Sequence, residues 1–184
     1  MDTTFLVGIA GAIILVAGAA YPIKTVKKPT ESVKNWLFAI GGLCMLGYSF
    51  LNYQEGGTIF FIILQLFINS TSLLMMFGTN DKFDTPFITV MGIAMVAWSL
   101  TLFEGYNTIF FIIGLTGIGL GYAMDMGTFK RNASLTLGSG LIALFSYLAG
   151  DWIFFWLNVF FALFSGYHAM KLHHPEHRLG VKVK

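Results

Sequence analysis

The chain has 184 residues, of which 56% are hydrophobic and 11% charged, with a formal net charge of +2 and a mean hydropathy of +0.74. Since a soluble domain carries about 25% charged residues, this composition excludes an ordinary water-soluble domain. A nucleic-acid-binding protein needs basic residues clustered on one face, and this chain has no such cluster. The single cysteine, Cys44, cannot form an intrachain disulfide.

Seven apolar runs predict seven transmembrane helices, because a crossing needs about 20 mostly apolar residues. The first run is kept as a helix and not as a cleaved signal peptide, since its first lysine, Lys24, follows the run. Turn-rich or charged segments separate the runs. The predicted spans are 4–22, 35–53, 58–78, 86–103, 107–125, 133–149 and 151–171.

Lysine and arginine positions predict the orientation, because cytoplasmic loops retain these residues. The N-terminus and the second, fourth and sixth loops hold none of them. The other loops and the tail hold all eleven: Lys24, Lys27, Lys28, Lys34, Lys82, Lys130, Arg131, Lys171, Arg178, Lys182 and Lys184. We therefore expect the N-terminus outside and the C-terminus inside the cytoplasm.

An internal repeat is visible when residues 57–76 are laid on 150–169 without a gap. Matched positions include Gly57 with Gly150, Phe61 with Phe154, Leu64 with Leu157, Phe67 with Phe160, Ser72 with Ser165, and Gln65 with Asn158. Helices one to three thus resemble helices five to seven. A like-oriented second triplet requires one extra crossing between the copies, which the fourth helix supplies.

The predicted architecture is an all-α membrane protein with a 3+1+3 plan of two parallel triple-helix bundles. Transporters with such repeats commonly hold their substrate near the midplane, between the halves. The predicted units are 1–80 for the first bundle, 81–105 for the linker helix, 106–172 for the second bundle and 173–184 for a cytoplasmic tail.

The stretch Tyr21-Pro22-Ile23-Lys24-Thr25 after a glycine-rich helix, and the segment from Gly150-Asp151 to Leu157-Asn158-Val159, resemble the SWEET and SemiSWEET sugar carriers of the PQ-loop superfamily. Ile23 replaces the glutamine of the Pro-Gln pair, and Ala123 follows Tyr122 where the second copy would have proline. The pocket tryptophans are also replaced, with Tyr48 or Ser49 and Ile142 nearest in position. The resemblance implies facilitated, uniporter-like transport of a sugar.

Polar residues at membrane depth are candidates for binding, because an unpartnered amide in hydrocarbon is costly. Gln65 and Asn69 share a helix face, and Asn158 and Ser165 lie on the matching face of helix seven. Together with Tyr48 and Ser49, these residues form the predicted substrate site. The alternative is that the amides only tie helices together.

A second group of residues is predicted to move or to gate. Pro22 either acts as a hinge or merely ends helix one, and Tyr21 and Tyr122 end the first helix of each half. The family uses an acid and a tyrosine to close the outward gate, and the matching residues here are Asp151 and Tyr147. A simple helix cap is the alternative for Asp151.

Other functions remain open at this point. A carrier of a nucleoside or of a vitamin such as nicotinamide riboside would share the plan, and an intramembrane enzyme or a non-transporting subunit or receptor is the alternative of another class. No metal or cofactor site is predicted, since His173, His174, Glu176 and His177 lie in one polar tail. The expected partners are a small polar solute and the lipid bilayer of the plasma (inner) membrane, without nucleic acid; assembly into a homo-oligomer stays open.

Overall fold

The computed structural model describes residues 2–21, 28–78, 81–125 and 127–173. Within these ranges the chain is all-helical, as predicted. The elements are α1 Thr3–Ala20, a 3-10 turn at Pro29–Glu31, α2 Val33–Gln54, α3 Phe60–Phe77, α4 Asp81–Thr101, α5 Tyr106–Ala123, α6 Phe129–Leu148 and α7 Trp152–His173.

Five of these helices, α1, α2, α4, α5 and α7, are long and apolar enough to cross a membrane. Of the remaining two, α3 has a described apolar stretch of Phe60–Leu74, and α6 carries Lys130 and Arg131 in its first turn. The prediction of an all-α chain is therefore confirmed, with seven helices among the described residues, and the five apolar helices of membrane length are compatible with a membrane protein.

Capping side chains set several helix boundaries that hydropathy misplaces by a few residues. Ser32 Oγ accepts from the Asn35 N–H at the start of α2, and Thr128 Oγ1 accepts from the Arg131 N–H at the start of α6. The largest difference is in α4, which begins at Asp81 and not at Pro86, so that Pro86 lies inside the helix. Here the helix extends into a polar turn that carries no hydropathy signal.

The helices pack mainly as chain neighbours, and two further contacts close the bundle: α1 against α7 and α3 against α5. The helix with the most buried side chains is α3; Phe60, Phe61, Ile63, Leu64 and Phe67 are each at most 2% exposed. α4 covers α3, since Gly92 faces Phe67. Hence Phe67 is buried, whereas its sequence equivalent Phe160 on α7 is half exposed.

Glycines let α1 approach α2, and α5 approach α6, in the same register. A methyl group at Gly11 would lie 3.0 Å from Met45 atoms, and one at Gly114 would lie 2.9 Å from Ile142. A methyl at Gly41 would meet Leu15 on α1 at 2.8 Å, and one at Gly138 would meet the Ile118 nitrogen on α5 at 2.6 Å. Such close backbone approach holds helices together where lipid removes the hydrophobic driving force.

The two ends of the bundle differ in their described charged residues: one holds only acidic residues, and the other holds all the described lysines and arginines together with Glu31, Asp84 and Asp125. We call the end at which α1 begins the acidic end, since Asp2, Glu55, Glu104 and Asp151 lie there. The opposite, basic end holds every lysine and arginine that the structure describes: Lys28, Lys34, Lys82, Lys130, Arg131 and Lys171.

Candidate functional site

Asp151 begins α7 and is held by the tight turn that follows α6. Gly150 adopts a left-handed φ of 75°, which favours glycine, and the Asp151 N–H donates to the Ser146 carbonyl at 2.9 Å. Asp151 Oδ1 then accepts from the Phe154 N–H at 2.9 Å. This is the helix cap that the sequence left as an alternative, and it fixes the direction of the second carboxyl oxygen.

The second oxygen, Oδ2, joins α7 to α2. The Tyr48 hydroxyl donates to it at 2.9 Å and Asn52 Nδ2 donates to it at 3.0 Å. Tyr48 and Asn52 are four residues apart, so they lie on one face of α2. We call Tyr48, Asn52 and Asp151 the α2–α7 latch. Asp151 is therefore a cap and an interhelical contact at the same time.

The latch carboxyl lies in a poorly hydrated place, with Asp151 only 7% exposed. Burial raises the pKa of this carboxyl above its usual range, and the hydrogen bonds from the Phe154 N–H and the Tyr48 hydroxyl oppose that rise. No described lysine, arginine or histidine pairs with it. The charge of Asp151 is thus balanced by neutral donors only.

A layer of buried aromatic rings lies beside the latch at the acidic end. Phe61 of α3 stacks on Phe154 of α7, with ring centroids 4.2 Å apart and planes 5° from parallel. Phe145 of α6 meets Phe61 edge-on at 5.6 Å, and Phe60 lies 4.9 Å from Phe111 of α5. The Tyr48 ring itself packs 5.7 Å from Phe154. These contacts join α2, α3, α5, α6 and α7 at this end of the bundle.

The candidate binding amides lie one helical turn further from the acidic end than the stacked rings. Gln65 follows Phe61 by four residues on α3, and Asn158 follows Phe154 by four on α7. Both amides are buried, at 1% and 5% exposure. The Asn158 Nδ2 donates to the Phe154 carbonyl of its own helix at 2.9 Å.

Gln65 Oε1 is the one buried side-chain oxygen or nitrogen, among the described residues, without a hydrogen-bond partner. In its neighbour Asn69 the amide nitrogen is engaged, since Nδ2 donates to the Gly42 carbonyl of α2 at 3.1 Å and to the Gln65 carbonyl at 2.7 Å. Asn69 therefore ties α3 to α2, as the alternative interpretation of the amides proposed. Gln65 Oε1, by contrast, is a buried acceptor available to a ligand.

Three other predicted residues lie outside this group of contacts. The Ser49 hydroxyl is buried and donates to the Met45 carbonyl of its own helix at 2.8 Å. Ser165 is half-buried on α7. Tyr147 is 54% exposed, and its ring packs against Trp152 and Phe155 at 5.7 and 5.8 Å. The tyrosine that contacts Asp151 is Tyr48, which had been placed in the substrate site.

At the basic end, close to the predicted hinge residues Tyr21 and Tyr122, lysine and arginine side chains donate hydrogen bonds to the last carbonyls of helices. Lys34 Nζ donates to the Tyr21 carbonyl at 3.1 Å, and Arg131 Nη1 donates to the Met124 carbonyl at 3.1 Å. Basic side chains commonly satisfy the last carbonyls of a helix in this way. The Arg131 guanidinium also lies 5.7 Å from the Tyr122 ring centre, and that ring meets Phe67 edge-on at 6.3 Å. Pro22 lies outside the described residues.

Sequence reasoning did not single out Asn52 as a partner of Asp151. It also missed the 2.6 Å hydrogen bond from the Thr4 hydroxyl of α1 to Glu55 of α2 at the same end. The available signal was the spacing of Tyr48, Asn52 and Glu55, which places all three on one face of α2.

No group of three or more histidine, cysteine, aspartate or glutamate side chains within the described ranges is placed to hold a metal ion. Most of the histidine-rich tail, from His174 onward, lies outside those ranges. Comparisons with protein-family models, with curated proteins and with solved structures find no match to this chain.

Proposed function

We propose that this protein is a multi-pass transporter that moves a small polar solute, with a sugar as the first candidate, by facilitated alternating access. In this proposal the site lies between two like-oriented triplets, α1–α3 and α5–α7, and α4 is the linker. Two observations support this plan. The glycine contacts between α1 and α2 recur between α5 and α6, and the contact of α1 with α7 becomes the contact of α5 with α3 when the two triplets are interchanged. Transporters built from parallel repeats bind cargo at such an interface.

The proposed orientation places the basic end in the cytoplasm and the acidic end outside, in the plasma (inner) membrane. The confinement of every described lysine and arginine to one end supports it, because cytoplasmic loops retain these residues. The α2–α7 latch then closes the outward-facing side. It joins the second helix of one triplet to the third helix of the other, as a gate between the halves must.

The observation that carries the proposal is the unpartnered Gln65 Oε1. Gln65 lies on the sixth residue of α3, about 8 Å along the axis from the acidic end of that helix. An orphaned buried acceptor costs about 1–3 kcal/mol, so a native protein retains one where it has a use. A solute that presents a hydroxyl or N–H group would satisfy it. A net bond of about 1 kcal/mol suits the weak binding that a carrier needs.

The experiment is a radiolabelled uptake panel in proteoliposomes that compares hexoses, disaccharides and nucleosides, with and without a pH gradient. We expect saturable uptake of at least one class that needs no pH gradient to drive it, and loss of that uptake in Gln65→Leu and Asn158→Leu without loss of folding. Ser70→Ala is the matched control on α3, because its hydroxyl bonds only to the Leu66 carbonyl of the same helix.

Two results would count against this proposal. Uptake of no panel member by folded, correctly inserted protein would favour the non-transporting subunit or receptor. Loss of folding in both amide variants, with Ser70→Ala folded, would assign Gln65 and Asn158 to structure. Uptake of nucleosides in place of sugars would keep the carrier and change its cargo.

A further inference from the structure

We propose that Asp151 is a proton-binding site that regulates the outward gate: a bound proton holds the α2–α7 latch closed, and loss of the proton favours its opening. The inference rests on the proposed function for the meaning of the gate. It adds a ligand, the proton, to facilitated transport that by itself needs no proton gradient.

The geometry couples the ionisation of Asp151 to the latch. In the closed arrangement the carboxyl is 7% exposed and meets Tyr48, Asn52 and the Phe154 N–H. Separation of α2 from α7 removes the two α2 donors and admits water to the carboxyl. Water solvates a carboxylate better than a buried site with neutral donors does, so opening favours the charged form.

No described lysine or arginine lies close enough to the closed latch to neutralise Asp151 in place of a proton. From α2, Tyr48 faces Asp151 directly, and Glu55 lies near Tyr48, where it adds further negative charge. From α1, Asp2 caps the first turn and Thr4 bonds to Glu55. All described lysines and arginines lie at the opposite end of the bundle. A proton is therefore the available source of positive charge.

The sign of the effect follows from linkage. Burial raises the pKa of the Asp151 carboxyl in the closed latch above its usual range, whereas a hydrated carboxyl in the open latch has a pKa of about 3.9. The closed form thus binds the proton more tightly. Its extra stability is fully present below the open-state pKa and is lost as the pH rises through the closed-state pKa. Acidification on the outer side closes the gate.

The test measures gate opening directly by labelling a buried cysteine from the acidic end. Ser146→Cys in a Cys44→Ser background is suitable, because Ser146 is 0% exposed and its carbonyl accepts from the Asp151 N–H. Tyr106→Cys, at a position 85% exposed at the same end, corrects for the pH dependence of the thiol reaction itself. Thr108→Cys, at 2% exposure, is a second reporter if Ser146→Cys does not fold.

We expect the corrected labelling rate to fall on acidification, by at most about tenfold per pH unit for one linked proton. Asp151→Asn should remove this pH dependence. Tyr48→Phe should shift its midpoint to higher pH, because one donor to the ionised carboxyl is lost. A labelling rate that is independent of pH, or one that keeps its pH dependence in Asp151→Asn, would overturn the proposal.

The cysteine-labelling experiment needs no transported solute, so it tests the proton-regulated gate independently of the transporter proposal. pH-dependent labelling without uptake of any solute contradicts the carrier and leaves the proton site. Uptake together with pH-independent labelling contradicts the proton site and leaves the carrier.

Discussion

The removal of one oxygen atom from Tyr48 should weaken the closed gate by a measurable amount. In Tyr48→Phe the ring can keep its contact with Phe154, 5.7 Å away, but the 2.9 Å hydrogen bond to Asp151 Oδ2 is lost. Such a hydrogen bond contributes about 0.5–1.5 kcal/mol when the carboxyl carries a proton and about 1.5–3 kcal/mol when it is ionised. Since about 1.4 kcal/mol corresponds to a factor of ten, the open fraction should rise by about 2- to 10-fold in the protonated latch and by about 10- to 150-fold in the ionised one.

The assay is the labelling rate of Ser146→Cys from the acidic end, at neutral pH, with the gate closed most of the time. Tyr147→Phe is the matched control, because it removes the same atom from the neighbouring candidate tyrosine, whose described contacts involve the ring. We expect that control to label at the wild-type rate. Equal labelling rates in Tyr48→Phe and wild type would refute the role of Tyr48. Acceleration in Tyr147→Phe alone would also refute it and would assign the gate role to Tyr147.

Two further predictions follow from single positions. Gln65→Leu should raise the thermal stability of the purified protein by about 1 kcal/mol, because it removes an unpartnered buried oxygen; a drop in melting temperature would show that the oxygen has a partner. Gly138→Ala should destabilise the fold by about 1–3 kcal/mol, since its methyl group would meet the Ile118 nitrogen at 2.6 Å. Gly140→Ala on the same helix has open space and should be silent in the same unfolding experiment.

The helices could be predicted from the sequence, because long apolar runs of membrane length have few other folded solutions. Their ends could be predicted less well. Caps such as Ser32 and Thr128, and the polar first turn of α4, set boundaries that hydropathy does not register. The paired glycines were visible as packing residues, and the structure adds which helix each one meets.

Some contacts of the candidate residues could be predicted from the sequence and others could not. The cap role of Asp151 follows from its place at the start of an apolar helix, its gate role was taken from the family resemblance, and Gln65 was singled out by its polarity at membrane depth. The partner of Asp151 could not be predicted, because Tyr147 is close to it in sequence whereas Tyr48 reaches it from α2, which packs against α1 as α7 does. Likewise, the engagement of Asn69 with Gly42 depends on the α2–α3 contact, which no spacing along the chain reveals.

The central claim is that α2 and α7 must separate at the acidic end for a solute to pass. The most direct measurement is uptake by Asn52→Cys/Asp151→Cys in the Cys44→Ser background, in proteoliposomes, before and after cross-linking with a short bifunctional methanethiosulfonate reagent. In the wild-type protein Asn52 Nδ2 and Asp151 Oδ2 lie 3.0 Å apart, so the two positions face each other across the latch. We predict uptake before cross-linking, its loss on complete cross-linking and its return on reduction. Undiminished uptake with the helices fully cross-linked would contradict the account.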